Sequence, residues 1–295
     1  MIDLRYHVYS LAAVIVALAI GFVFGTSSLG KGGDVKQVER IVNHYERSIS
    51  SLRNSLSEQQ AGLKTVRADL NRANSLCAEL MPVVLKGRLA YRNVAIVQTG
   101  DYDDLVSVVR SAIKDAGGNV TSVTRISSDF DFNDANAVAS VISDVGVPVQ
   151  VGESGREAIL RLVAEAVVGG RNRDRLFALR DAGVVDLSGD YGRWNRLVVI
   201  VGGLRKSSAG RADIVDAKLA EKLTALGVRV VCCEPSDAEV SEIQEWQRLD
   251  VSTVDSADKP WGRVALILAL AGQDGHFGQK RTAERLIPRI ADTRL

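Results

Sequence analysis

Arg196-Leu197-Val198-Val199-Ile200-Val201-Gly202-Gly203 reads as a strand buried on both faces and then stopped by paired glycines. A run of branched apolar residues without polar alternation is the mark of a strand inside a parallel sheet, where helices cover both sides. Asn93-Val94-Ala95-Ile96-Val97-Gln98 repeats the pattern upstream. Helical spacing over residues 102–116, ending at Gly117-Gly118, leads to a strand at 119–125. Further helices are predicted at 133–144, 155–169 and 172–182. A helix at 211–226 stops at Gly227, a strand from Val228 to Val231 runs on into Cys232-Cys233, and a helix at 260–272 opens with Pro260. Strands alternating with helices predict an α/β domain over 88–272, a mostly parallel sheet with helices on both faces. Two pseudo-equivalent βαβ lobes are the alternative within those bounds.

Ahead of this domain the period changes. Val35, Val42, Ile49, Leu56, Leu63, Leu70 and Cys77 occupy a positions of a heptad. Val38, Tyr45, Leu52, Gln59, Val66, Ala73 and Leu80 occupy d. A 3.5-residue repeat held this long predicts a left-handed coiled coil over 34–81, about 70 Å long at roughly 1.5 Å per residue, with Pro82 as its stop. The e and g positions form almost no opposite-charge pairs, and Gly62 weakens the middle by about 1 kcal/mol relative to Ala. Self-association is the expectation; a helix folded back on its own domain is the alternative.

Residues 6–30 contain no Asp, Glu, Lys or Arg, and Leu11 to Phe24 is apolar or glycine throughout. Some 20 such residues span the roughly 30 Å hydrocarbon layer of a bilayer, with no charge to drag in. Residues 1–33 therefore read as a single transmembrane anchor followed by a Gly/Ser hinge from Gly25 to Gly33. A signal peptide cleaved near Gly25-x-Ser27 is the alternative. Ala13, Ala17, Gly21 and Gly25 line one helix face, either as a packing stripe or as the ordinary small residues of membrane helices. Lys31, Lys36 and Arg40 follow the span and Arg5 precedes it, a balance that does not decide orientation.

Composition excludes several functions. A net charge of +1 with no basic stripe argues against nucleic-acid binding. Gly202-Gly203 is not followed by a dinucleotide fingerprint or phosphate-binding loop, so no nucleotide cofactor is expected. Gly100-Asp101-Tyr102-Asp103-Asp104 follows a strand end and could gather carboxylates round a hard cation, yet acidic residues at a helix start are routine. His7, His44 and His276 fall in the anchor, the stalk and the basic tail over 273–295, so no catalytic residue is predicted and an enzyme is not expected. Three cysteines give no disulfide framework. Cys232 and Cys233 are the weak candidates for a soft-metal site, weak because neighbours on a strand point to opposite faces.

Arg5-x-His7-x-x-Ser10-Leu11-Ala12-Ala13-Val14, continuing Ala17-Leu18-Ala19-x-Gly21-x-x-x-Gly25, resembles the start of the mycobacterial copper transport protein B family. Ser252-Thr253-Val254-Asp255-x-x-Asp258, then Gly262, Leu266 to Leu270 and Gly275-His276-x-Gly278, resemble its far end. The resemblance covers nearly the whole chain. It implies a cell-envelope protein with an extracytoplasmic body and a role in copper transport or homeostasis, copper being cargo. It supplies no ligand set. A structural envelope protein whose α/β head binds a partner protein, without metal chemistry, is the other expectation.

The uncharged span carries a direct test. The intact chain should remain with membranes after an alkaline carbonate wash, and deletion of residues 1–30 should release it. A soluble full-length chain, or one whose sequenced amino terminus lies near Ser28, would remove the anchor.

Overall fold

A computed structural model describes residues 4–29, 33–205 and 212–289. Two compact units divide the chain, residues 1–71 and 72–295. In the first, α1 (Leu4–Leu29) is the apolar helix, and Val8–Thr26 is long and apolar enough to cross a membrane. Every side chain from Val8 to Thr26 is exposed. Helix continues through Thr26 to Leu29, so the hinge expected from Gly25 onward narrows, and its residues 30–32 lie outside the described ones. Thr26 Oγ1 helps by donating back to Phe22 O at 2.9 Å, and α2 resumes at Gly33.

Helix α2 (Gly33–Leu85) is long enough for the predicted stalk, and its heptad residues, among them Val42, Ile49, Leu56, Leu63 and Leu70, are exposed. Pro82 does not stop it. The helix runs one turn further, with Lys86 N donating to Pro82 O at 3.1 Å. An interior proline costs about 3 kcal/mol. Burial of Met81, Leu85 and Leu89 in the body's core contributes roughly 1.5–3 kcal/mol each and outweighs it.

The body contains one seven-stranded sheet, in the order β3-β2-β1-β4-β5-β6-β7. The predicted strands are β1 (Asn93–Gln98), β2 (Asn119–Ile126), β4 (Leu197–Val201) and β5 (Arg229–Cys233), all mutually parallel. β1 and β4 pair from Val94↔Leu197 to Gln98↔Val201, and all five residues of β4 are buried. Sequence reading did not find three short strands. β3 (Val185–Gly189) pairs antiparallel with β2, while β6 (Ser252–Val254) joins β5 and β7 (His276–Phe277) extends the sheet beyond residue 272. They are short, and β3 is mostly exposed, so neither length nor burial marks them in sequence.

Helices α3 (Asp103–Asp115) and α9 (Pro260–Ala271), with the end of α2, cover one face. Helices α4 (Ala135–Val145), α5 (Gly155–Gly169), α6 (Arg173–Asp181), α7 (Ala212–Ala225) and α8 (Ile243–Gln247) cover the other. The start of α5 shows how sequence sets a boundary. Ser154 N donates to Glu157 Oε2 at 3.0 Å while Glu157 N donates to Ser154 Oγ at 3.4 Å, a reciprocal cap. Gly170 closes the helix in the left-handed region at φ 67°.

Leu85→Ala should lower the unfolding free energy of the body by about 2–5 kcal/mol, because the side chain is wholly buried. Val83→Ala, on the exposed side of the same turn, should change it by no more than about 0.5 kcal/mol. Denaturant melts followed by circular dichroism give both values; equal effects would place the end of α2 outside the core.

Candidate functional site

Strand order reverses between β1 and β4, the place where open parallel sheets hold ligands past their carboxyl ends. Here the chain fills that crevice itself. Gly100 abuts Gly202 and Gly203 so closely that a Cβ on it would come within 2.4 Å of Gly203 O. Thr99 N and Gly100 N both donate to Val201 O, at 3.0 and 3.1 Å, and Asp101 N donates to Gly203 O at 3.1 Å. Tyr102 closes the top: its hydroxyl donates to Asp237 O at 3.1 Å, and the Arg205 guanidinium lies 4.9 Å from its ring centre. Backbone occupies the space that a pyrophosphate would need.

The nearby carboxylates do not converge. Asp101 accepts from Arg205 N at 3.2 Å. Asp103 pairs with Arg125 at 2.7 Å and accepts from Gln98 Nε2 at 2.7 Å. The backbone carbonyl of Asp104 accepts from Ser107 Oγ at 2.7 Å. Asp103 and Asp104 thus serve the first turn of α3, and no shared oxygen cage forms.

Beyond the ends of β4 and β5 lies a buried acidic group that sequence reading missed, because its burial is made by segments from several parts of the chain. Glu234 is fully buried; its carboxylate accepts from Ser241 Oγ at 2.6 Å and Glu242 N at 3.1 Å, and pairs with Lys280. Glu242 lies under Gly202 and against Asp216, which accepts from Thr99 Oγ1. Burial, reinforced by the Asp216 charge, pushes the Glu242 carboxyl well above its ordinary range. Burial also raises Glu234, against the opposing pull of Lys280 and Ser241. Two buried acids beside one another share a proton more readily than two charges. His276, placed in the tail by sequence, lies in β7 and bonds Thr253 Oγ1 through Nδ1 at 3.1 Å.

Cys232 and Cys233 are both fully buried in β5. Cys232 packs into the core under α7 and α8, Cys233 into the opposite core under α9. Burial raises both thiols, and the carboxylates beside them add to it, Asp216 and Glu242 for Cys232 and Glu234 for Cys233. A thiolate, the form that binds soft metals, is therefore disfavoured at both. Among the described residues no three His, Cys, Asp or Glu side chains gather as a metal site.

The residues of the far-end motif hold the sheet edge together. Asp255 Oδ1 accepts from Gln279 N at 2.8 Å and Ser256 Oγ at 2.7 Å, and Oδ2 accepts from Lys280 N at 2.7 Å. Gly278 must lack a side chain, since a Cβ would sit 1.9 Å from Asp255 Oδ1 and its φ is +142°. Gly262 lets α9 approach Ser256 O, which a Cβ would meet at 1.8 Å. Asp258 accepts from Ser236 Oγ at 2.9 Å. These residues build the edge.

Fold and sites together define an α/β body that follows a long helix, preceded by one apolar helix of membrane-spanning length. The chain belongs to the family described as "Copper transport outer membrane protein, MctB", whose model matches residues 1–288. A relative named "Copper transporter MctB" from Mycobacterium tuberculosis is 27% identical over 310 residues, 94% of this chain and 96% of the relative. One of the same name from Mycobacterium leprae is 29% identical over 318 residues, 95% of this chain and 96% of the relative.

The buried Glu242 makes stability fall as pH rises. Its folded form keeps a proton that the unfolded chain releases above about pH 4.3, so each unit of pH between there and the raised folded value removes up to about 1.4 kcal/mol. Glu242→Gln should flatten that fall between pH 5 and pH 7 and stabilise the protein at pH 7. Urea melts at the two pH values test this; an unchanged slope would show that Glu242 is ionised in the fold.

Proposed function

We propose that this chain is a single-pass envelope protein of copper transport or homeostasis, with an extracytoplasmic body and a self-associating stalk. The observation that carries the copper assignment is the family match over residues 1–288, with relatives named copper transporters aligned along nearly their full length. The apolar span of α1 supports membrane attachment. The exposed heptad row of α2 supports self-association, because apolar side chains at 3.5-residue spacing lose their contact with water only against another helix. The lipid bilayer, a second copy of the chain and a copper ion are thus its expected partners. One apolar helix encloses no pore, so movement of copper through this protein would require several chains.

Cys232 and Cys233 remain the proposed copper contacts, reached through opening of the core or through a shared site between copies. The same burial favours the second reading, a scaffold whose head binds a partner protein and leaves copper chemistry to others. Copper(I) competition titrations on the full chain in neutral detergent separate the two. Under the copper reading the wild type binds stoichiometrically and the Cys232→Ser/Cys233→Ser protein does not. Unchanged stoichiometry in the variant would remove these cysteines, and no binding by the wild type would favour the scaffold. Sedimentation of the same preparations should show an oligomer; a monomer at micromolar concentration would remove the stalk assignment.

A further inference from the structure

A cleft of 430 Å³ opens at the amino-terminal ends of β1 and β4, opposite the strand ends where parallel sheets usually hold ligands. Tyr91, Arg92, Asn93, Trp194, Arg196 and Leu197 line it. Its volume falls within the range of small-molecule sites. Two positive side chains line it and no acid does.

Two arginines without a carboxylate partner meet in the cleft. Arg125, Arg161, Arg180, Arg193, Arg229 and Arg248 each pair with a carboxylate. Arg92 and Arg196 have no carboxylate partner among the described residues, although they share one cleft. Two positive side chains lining one cleft without an acid favour an anion there. Guanidinium groups also suit phosphate and carboxylate, which they grip with paired N–H donors.

The aromatic residues add a second, independent observation. Tyr91 is wholly exposed and its φ is +61°, in the left-handed region that disfavours a branched or bulky side chain. A glycine would hold this turn with less strain, and a tyrosine there packs against nothing in the body. Trp194 is 55% exposed yet fixed in place. Its ring lies where a Cβ on Gly169 would come within 2.6 Å, and its carbonyl accepts from Asn93 Nδ2 at 3.4 Å. Asn93 Oδ1 is held in turn by Asn119 Nδ2 at 3.0 Å. Exposed Tyr and Trp beside unpaired Arg is the composition of binding hot spots, since flat rings give contact area at little entropic cost.

We propose that this cleft binds an anionic ring compound, its phosphate or carboxylate held by Arg92 and Arg196 and its ring face against Tyr91 and Trp194. The anion supplies the missing counter-charge, and the ring supplies the apolar surface that the two exposed aromatics lack. Neither element draws on copper chemistry, so the site is separate from the proposed cargo role.

Isothermal titration of the full chain in neutral detergent with phenyl phosphate tests the assignment. Saturable binding is expected, weakened at least about tenfold in R92Q/R196Q, as loss of charge-assisted hydrogen bonds requires. Tyr91→Gly should weaken binding several-fold while leaving the thermal midpoint unchanged or higher, since glycine adopts positive φ freely. That opposite movement separates ligand contact from a folding defect. Vesicles of phosphatidylinositol in phosphatidylcholine that compete with phenyl phosphate would identify a lipid headgroup as the source; vesicles that do not would leave a soluble compound. No saturable binding, affinity unchanged in R92Q/R196Q, or inorganic phosphate binding as tightly as phenyl phosphate would overturn the proposal.

Discussion

The close approach of β1 and β4 governs the body. Their five paired positions are buried on both faces, so their backbone groups find partners only along the ladder and their side chains only in helices above and below. That contact continues past the strand ends, where Gly100 meets Gly202 and Gly203 and backbone seals the crevice. A nucleotide site on the same topology needs those turns splayed apart. Here the glycines bring two loops together.

Sealing the crevice moves the chemistry elsewhere. Carboxylates brought to the strand ends are buried, and those of Glu234 and Glu242 depart from ordinary acidity for lack of water. Lys280 reaches Glu234 because Asp255 holds the backbone of Gln279 and Lys280 against the sheet edge. The motif that makes the chain resemble its family is thus the clamp for its last strand. A loss at Asp255 or Gly278 would act on stability before it acted on any ligand.

The end of α2 joins two demands on one helix. Its earlier turns leave an apolar row exposed, whereas its final turns place Met81 and Leu85 in the body's core. Core burial is strong enough to carry the helix through Pro82, at a position where local propensity alone would end it. Cys77, on the heptad's a row, is already half-buried.

Sequence alone determined the elements whose signals are local. The buried runs of β1 and β4, the glycine stops after α3 and α7, the capping box of α5 and the uncharged span of α1 each follow from neighbouring residues. Period and capping act within a few positions of the chain. It also indicated that Cys232 and Cys233 point apart, since strand alternation is local too, and the two cores divide them accordingly. Only tertiary structure decided the rest. β3, β6 and β7 exist because a neighbouring edge offers unpaired backbone groups, and two to five residues carry too little pattern to announce that. Pro82 lies inside a helix because residues far along the chain bury the turn beyond it. The acidic group and the arginine–aromatic cleft are assembled from separate segments of the chain, since a sheet orders strands in space without regard to their separation in sequence.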